Sequence, residues 1–479
     1  MVTTVTNRKL LNLKRWEFAT PAPVASTAAT AIISSRHYRQ QQLMVQAATV
    51  AYLYSPLEDG WMQLPSPALA GTWSAGGAGV ASAVSTGTAT TGSTLTATGG
   101  TTTTIITNQT LARDVRGYSV HIVSGPNAGV TLPIVSNTTG ANGVLTVAVQ
   151  AAAFTASTVY RLLTPVWYVV GAGTLAAGSF RKYDFATNTW TTLSQTNLPA
   201  TIATDGRLMS TPSWMDLNYL TFATGTASSA SATTLVNSAK TWTVNQWTNY
   251  QVRIVSGTGA GQVRSIASNT ATALTVATWT ITPDATSVYT IEGNDDFLYY
   301  IGNNAVTMYR FQISTNTWST LTPTLARAGA PSTGMSGHWV WGSTDTDWTN
   351  ESSIKNGRYL YSFRAGAAAG NPLDYYDIAA NTWVNAVTHS PATETLTTGT
   401  KYIYNGNFLY IQKDATGRWF RYNFVTSEMD GLNTMLYTQG AAVIGDTAFD
   451  ATYFDGATSI VYLYMLLNTS TVMLRQMVI

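Results

Sequence analysis

The sequence predicts an all-β protein assembled from six repeated four-stranded units and interrupted twice by a smaller β module. Three observations carry that expectation. A phrase with two aromatic residues seven positions apart recurs along the chain. A second, unrelated phrase of twelve residues occurs twice. The polarity comes mainly from Thr, Ser and Asn, which suit strands and turns, while only 10% of the 479 residues are charged.

The first phrase reads YDFATNTW from Tyr183 to Trp190, YDIAANTW from Tyr376 to Trp383, FQISTNTW from Phe311 to Trp318 and YSPLEDGW from Tyr54 to Trp61. From Tyr422 it reads YNFVTSEM, with Met429 in the tryptophan place. The N-terminal stretch WEFATP, from Trp16, matches the tryptophan strand alone. An apolar strand end, an Asn- or Asp-containing turn and an aromatic at the head of the next strand describe a hairpin. The expected role is packing: an aromatic clasp and turn used once per unit.

The intervals from Trp16 through Trp61, Trp190, Trp318 and Trp383 to Met429 are 45, 129, 128, 65 and 46 residues. The two long ones contain the second phrase, YSVHIVSGPNAG from Tyr118 and YQVRIVSGTGAG from Tyr250. Ser-Asn-Thr, Leu-Thr-Val and Val-Tyr follow both copies in the same order. Residues 91–163 and 222–292 are therefore expected to be two copies of one β module. Without them the period approaches the ~50 residues of kelch-type units.

Each unit holds about four short aromatic or β-branched runs bounded by Gly, Asn and Pro; the fourth has GHWVWG, RYLYSF, PLDYYDI and TWVNAV. Six such units arranged radially describe a six-bladed β-propeller. With its Tyr-Asp-x-x-x-Asn-Thr-Trp turn, the chain resembles kelch or galactose-oxidase-like propellers. The paired glycines usual after the second strand of that family are mostly missing, which implies a divergent member. The expected organisation is propeller over 1–90, first module over 91–163, propeller over 164–221, second module over 222–292 and propeller over 293–479. The last unit is one strand short, so the segment at Trp16 is expected to complete it and close the ring. Both modules fall between the first and second strands of consecutive units. They should project side by side from the face carrying the Asn-Thr turns.

Composition excludes several function classes. A net charge of +2 supplies no bulk field for nucleic acid or an anionic membrane, and the run Arg8, Lys9, Lys14, Arg15 reads as a solvated strand flank. The absence of cysteine removes disulfides, thiolate metal sites and cysteine nucleophiles. No secretory leader and no apolar run of ~20 residues is visible, so a soluble protein is expected.

Candidate chemistry is sparse. His37, His121, His338 and His389 lack zinc-ligand spacing, and His121 aligns with Arg253, suggesting an exposed strand position. Asp345, Asp347 and Glu351 lack the glycine and the length of a calcium loop. Asp295 and Asp296 read as turn formers. The Gly-rich span from Gly71 to Gly79 lacks a phosphate-loop ending and reads as a flexible connector. No catalytic residue, metal site or cofactor is expected.

The modules, with a Val-x-Ile-Val-Ser-Gly-x-x-Ala-Gly core, resemble those of tailed-bacteriophage virion proteins. That resemblance implies a structural component of capsid, neck or tail, made in the host cytoplasm without a leader. It would be present in several copies and docked on other virion proteins through the modules. The alternatives are a glycan- or receptor-binding propeller, for which Trp339, Trp341 and Trp348 are the best aromatic cluster, and a polysaccharide-degrading enzyme.

Overall fold

A computed structural model describes residues 16–27, 30–34, 41–46, 49–69, 78–82, 95–171, 173–199, 201–202, 207–210, 221–294, 296–301, 306–327, 338–340, 359–363, 373–387, 400–405, 408–413, 416–423, 428–432, 448–454 and 459–478. Among them all regular structure is β, and all strand pairing is antiparallel. Arg8, Lys9, Lys14, Arg15, His37, Asp295, Trp341, Asp345, Asp347, Trp348, Glu351 and His389 lie outside the described residues.

Six four-stranded sheets follow one another in sequence. The first comprises Thr30–Ser34, Gln42–Gln46, Val50–Ser55 and Gly60–Gln63. The second comprises Ala78–Ser82, Val166–Val170, Phe180–Asp184 and Thr189–Thr192. The third comprises Arg207–Ser210, Phe297–Ile301, Met308–Gln312 and Thr317–Thr320. The fourth comprises His338–Val340, Tyr359–Phe363, Leu373–Asp377 and Thr382–Val387, and the fifth Lys401–Asn405, Phe408–Gln412, Trp419–Asn423 and Glu428–Gly431. In the sixth, Ala448–Phe454, Ser459–Leu466 and Met473–Val478 are completed by Trp16–Ala19 from the other end of the chain.

The closing pair is in register from Trp16 opposite Gln476 to Ala19 opposite Met473, so the last strand presents no open edge on that side. The first strand of each sheet lies against the first strands of the sheets before and after it, and the sixth returns to the first. This ring of four-stranded sheets is consistent with the blades of a propeller.

Apolar residues fill the spaces between sheets. Along Val166–Val170 every residue is buried, which requires cover on both faces of the strand. Trp167 and Val169 pack with the first sheet through Ile33, Val45 and Leu53. Val166, Tyr168 and Val170 pack with the third through Leu298, Tyr300 and Trp318. A continuous apolar run thus serves two interfaces by alternation. The same device joins the sixth sheet to the fifth (Leu463 and Met465 against Tyr410 and Trp419) and to the first (Tyr464 and Leu466 against Met44 and Tyr54).

Of the Gly-rich span expected as a connector, residues 71–77 lie outside the described residues; its last two, Ala78 and Gly79, begin the second sheet's first strand, where Gly79 pairs with Val169.

Between the first and second strands of the second sheet, the chain builds two small sheets. One holds Leu95–Thr96, Val159–Leu163, Ser119–Ser124 and Thr131–Pro133; the other holds Gly99–Gly100, Thr104–Ile106, Val144–Thr146 and Ser136–Asn137. Between the same strands of the third sheet, residues 221–292 form a single seven-stranded sheet. Val263–Asn269 runs unbroken through the second insert and joins its two halves, whereas its counterpart is split into Thr131–Pro133 and Ser136–Asn137. Pro133 stands where the second insert has Ser265.

Candidate functional site

The aromatic phrase forms the ground on which the inserts sit. Its two aromatics are direct cross-strand partners in four sheets, Tyr54 with Trp61, Tyr183 with Trp190, Phe311 with Trp318 and Tyr376 with Trp383, and in a fifth Tyr422 faces Met429. In the first four the ring centroids lie 4.8, 5.1, 5.0 and 5.6 Å apart. The residue two before each of these tryptophans, Asp59, Asn188, Asn316 or Asn381, has φ between 47° and 55°. Asn and Asp tolerate this left-handed conformation best among residues with a side chain. In three sheets the tyrosine hydroxyl donates to that same side chain, at 2.6 Å to Asp59, 2.7 Å to Asn188 and 2.6 Å to Asn381.

The phrase also grips the preceding sheet. Trp61 Nε1 donates to the Thr20 carbonyl at 3.2 Å, Trp190 Nε1 to Pro65 at 2.9 Å and Trp318 Nε1 to Ser194 at 3.0 Å. In the fourth sheet Asn381 Nδ2 donates to the Thr322 carbonyl at 2.9 Å. Each acceptor stands four residues beyond the tryptophan of the sheet before it. The repeat is therefore a chain of latches running from sheet to sheet. Trp16, Trp318, Trp383, Tyr54, Tyr183, Phe311, Tyr376, Tyr422 and Met429 are buried, whereas Trp61 and Trp190 are only partly covered. Trp190 is partly buried and packs against the first core cluster from outside it.

The first insert rests on the second sheet's phrase. Arg113 donates to the Tyr183 hydroxyl at 2.9 Å, to Asn188 Oδ1 at 2.7 Å and to Met62 Sδ at 3.1 Å, and its guanidinium lies 5.2 Å over Phe185. Ala112 N–H donates to the Ala186 carbonyl, and Tyr118 packs on Phe185. Burial pushes the Tyr183 hydroxyl up to about 12 although Arg113 pulls it down, so it remains a donor. Arg113→Met is expected to weaken this contact by about 1–3 kcal/mol, read as earlier protease cleavage within 95–163.

The second insert reaches the fourth sheet. Asn249 Nδ2 donates to the Ile378 carbonyl at 3.0 Å, its Oδ1 accepts from Arg310 at 2.9 Å, and Ala379 belongs to the insert's own core cluster. Ile378 and Ala379 occupy the phrase positions that Phe185 and Ala186 hold in the second sheet. The two inserts thus stand on equivalent turns of the second and fourth sheets.

Between those footings they touch each other reciprocally. A Cβ on Gly261 would lie 2.1 Å from the Val123 carbonyl oxygen, and one on Gly129 would lie 3.0 Å from that of Val255. Gly129 and Gly261 are the last residues of the two twelve-residue phrases, and Val123 and Val255 are also equivalent. Equal parts exchanging equal contacts define a pseudo-twofold interface. Gly261 also has φ +88°, so Gly261→Val should open it by steric and backbone strain together. Faster amide exchange in 118–131 and 250–264, with the sheets unchanged, is the expected readout.

The seam between the inserts is polar and buried. Arg253 binds Glu292 through Nη2 at 2.6 Å and Nε at 3.0 Å, and Thr290 donates to the same carboxylate. Glu292 is fully buried. His121, expected to be exposed, is fully buried as well. Its alignment with Arg253 reflects a shared position at this seam, where the second module covers what would be an outer face. His121 is the cross-strand partner of Arg161, and its Nδ1 lies 2.9 Å from Thr131 Oγ1. Burial, then Arg253 and Arg161, lower its pKa to about 3, against smaller opposing effects of the Gly261 and Val130 backbone.

His338 and Trp339 lie in the fourth sheet's first strand. Asp296 is a turn former: it accepts from Ser314 N–H at 2.7 Å and Gln312 Nε2 at 2.9 Å, bracing the third sheet's phrase. Among the described residues no group of three or more His, Asp or Glu side chains could hold a metal ion, and no helix is long and apolar enough to cross a membrane.

Neither a protein-family model nor a curated protein matches the sequence. Among solved structures, one chain of the "Crystal Structure of Mitotic Checkpoint Complex" aligns over 98% of this chain and 93% of its own, at 8% identity and a TM-score of 0.35. So slight a likeness carries no conclusion about fold or function.

Proposed function

We propose that the chain is a six-bladed, kelch-like propeller that serves as a structural component of a bacteriophage virion, with its two inserts acting as one docking unit. The observation that carries this reading is the reciprocal contact between the inserts, braced on equivalent turns of the second and fourth sheets. A pair of appended modules fixed at three places gives a rigid platform, and rigid platforms lose little freedom when they bind. The resemblance of the module sequences to tailed-phage virion proteins supports the setting, and the low charge fits partners met through Thr-, Ser- and Ala-rich surfaces rather than through a field.

In this reading the propeller is the scaffold and the inserts meet neighbouring virion proteins. It acts without a cofactor, in several copies, and independently of nucleic acid or membrane. Mass spectrometry of purified particles from cells carrying the gene tests it. The chain should be recovered in fixed proportion to the major capsid protein; particles that lack it would sink the reading.

A further inference from the structure

We infer that the boundary between the sixth and first sheets is a self-association surface, which receives the basic segment Arg8 to Arg15 of a second copy of this chain. The place is defined by comparison with the footing of the first insert. There, Arg113 meets the Tyr183 hydroxyl and Asn188 in the second sheet's phrase and Met62 on the first sheet's outer strand. One sheet back, the equivalent positions hold Tyr54 and Asp59 in the first sheet's phrase and Glu17 on the sixth sheet's outer strand. Thr20 N–H donates to Asp59 at 3.0 Å and Trp61 Nε1 to the Thr20 carbonyl at 3.2 Å, so these two elements adjoin. The apolar groups of this second footing are open. Ala186 and Ala379, at the fourth phrase position beneath the two inserts, are buried, and the third sheet has an exposed, polar Ser314 there. The first sheet has Leu57 at that position, 71% exposed, and Phe18 on the adjoining strand is 64% exposed. Two large apolar side chains on adjoining elements, one where a bare turn elsewhere carries serine, mark a surface that a partner covers.

The charge of the surface names its occupant. Where Asn188 and Met62 receive the insert's arginine, the equivalent residues are the acids Asp59 and Glu17, and Glu58 beside them is exposed. Arg475 binds Glu17 at 2.8 Å, which shows that this strand already accepts a guanidinium. Carboxylates set among apolar side chains fit a segment that mixes basic and apolar residues. In this chain RKLLNLKR, from Arg8 to Arg15, has that chemistry, with two basic residues at each end and three leucines between. The segment joins the closing strand at Trp16, which packs on Trp419 of the fifth sheet, whereas Asp59 lies beyond the strand's other end. It therefore starts away from the footing of its own copy, and the footing of a second copy is its match. Since segment and footing adjoin the same strand, two copies exchange them reciprocally in a closed twofold pair. The contact is a property of the purified chain and stands apart from the virion reading.

Sedimentation velocity of the full chain over the micromolar range tests this. A monomer–dimer equilibrium is expected, weakened at least about tenfold when ionic strength rises from ~0.1 to ~1 M. Leu57→Lys, a change at an exposed turn, should weaken it at least about tenfold through lost burial and a repelling charge. Arg8→Glu with Lys9→Glu should do the same while altering nothing in the described sheets. Adding Glu58→Lys to that pair reverses both signs and should restore part of the association. A chain that stays monomeric throughout would overturn the proposal. So would a dimer indifferent to Leu57→Lys, which would place the contact elsewhere. A dimer indifferent to Arg8→Glu with Lys9→Glu would overturn it by giving the surface another occupant, and no recovery with Glu58→Lys would overturn the pairing of these charges.

Discussion

Trp318→Ala is expected to destabilise the chain by about 3–5 kcal/mol, the largest effect of any single latch residue. Its side chain is 2% exposed and packs against Phe311, Phe180 and Tyr300, with centroid distances of 5.0, 5.1 and 6.5 Å. Two of those rings belong to its own sheet and one to the second sheet, so the cavity would open at a boundary between sheets. The Ser194 carbonyl would lose its indole donor in the same step. Trp190→Ala offers the internal contrast: its ring is partly exposed, and a smaller loss is expected. Chemical denaturation of the two variants should rank them in that order. Equal losses would mean that the tryptophans act as local hairpin residues and that their grip on the preceding sheet contributes little.

Glu292→Gln should cost about 3–5 kcal/mol, because it removes a buried carboxylate charge that lies 2.6 Å from the buried Arg253 guanidinium. The amide nearly preserves the volume, so the change isolates charge from packing. Replacing both partners, with Arg253→Met and Glu292→Leu, should recover most of the loss, since a buried ion pair and an apolar pair of similar size are often close in stability. Thermal unfolding of wild type, single and double variants forms the check. A double variant no better than Glu292→Gln would show that the pair fixes the seam's geometry and does more than offset its own desolvation.

The sequence made much of the fold legible. The phrase ending in Trp61, Trp190, Trp318 and Trp383 has a period, and a period signals repeated units before any contact is known. Continuous apolar runs such as VWYVV at Val166 announce strands covered on both faces. The joining of Trp16–Ala19 to Met473–Val478 could be anticipated because the last unit lacked a strand.

The site was less legible because its contacts join residues far apart in the chain. Arg113 meets Asn188 across 75 positions and Asn249 meets Ile378 across 129, and neither pair belongs to a repeat. His121 misled because an arginine at the equivalent position, Arg253, marks a polar face of the strand without saying what covers that face. One signal did exist. The final glycine of each twelve-residue phrase, Gly129 and Gly261, marks a close backbone approach, and here that approach is to the other copy.

We propose the paired inserts as the docking unit of a virion propeller, and cryo-electron microscopy of purified particles is the decisive test. Density is expected for a ring of six four-stranded sheets, with the two inserts in mutual contact and neighbouring proteins seated on them. Particles in which neighbours contact only the ring, or in which the inserts stand apart and untouched, would contradict it.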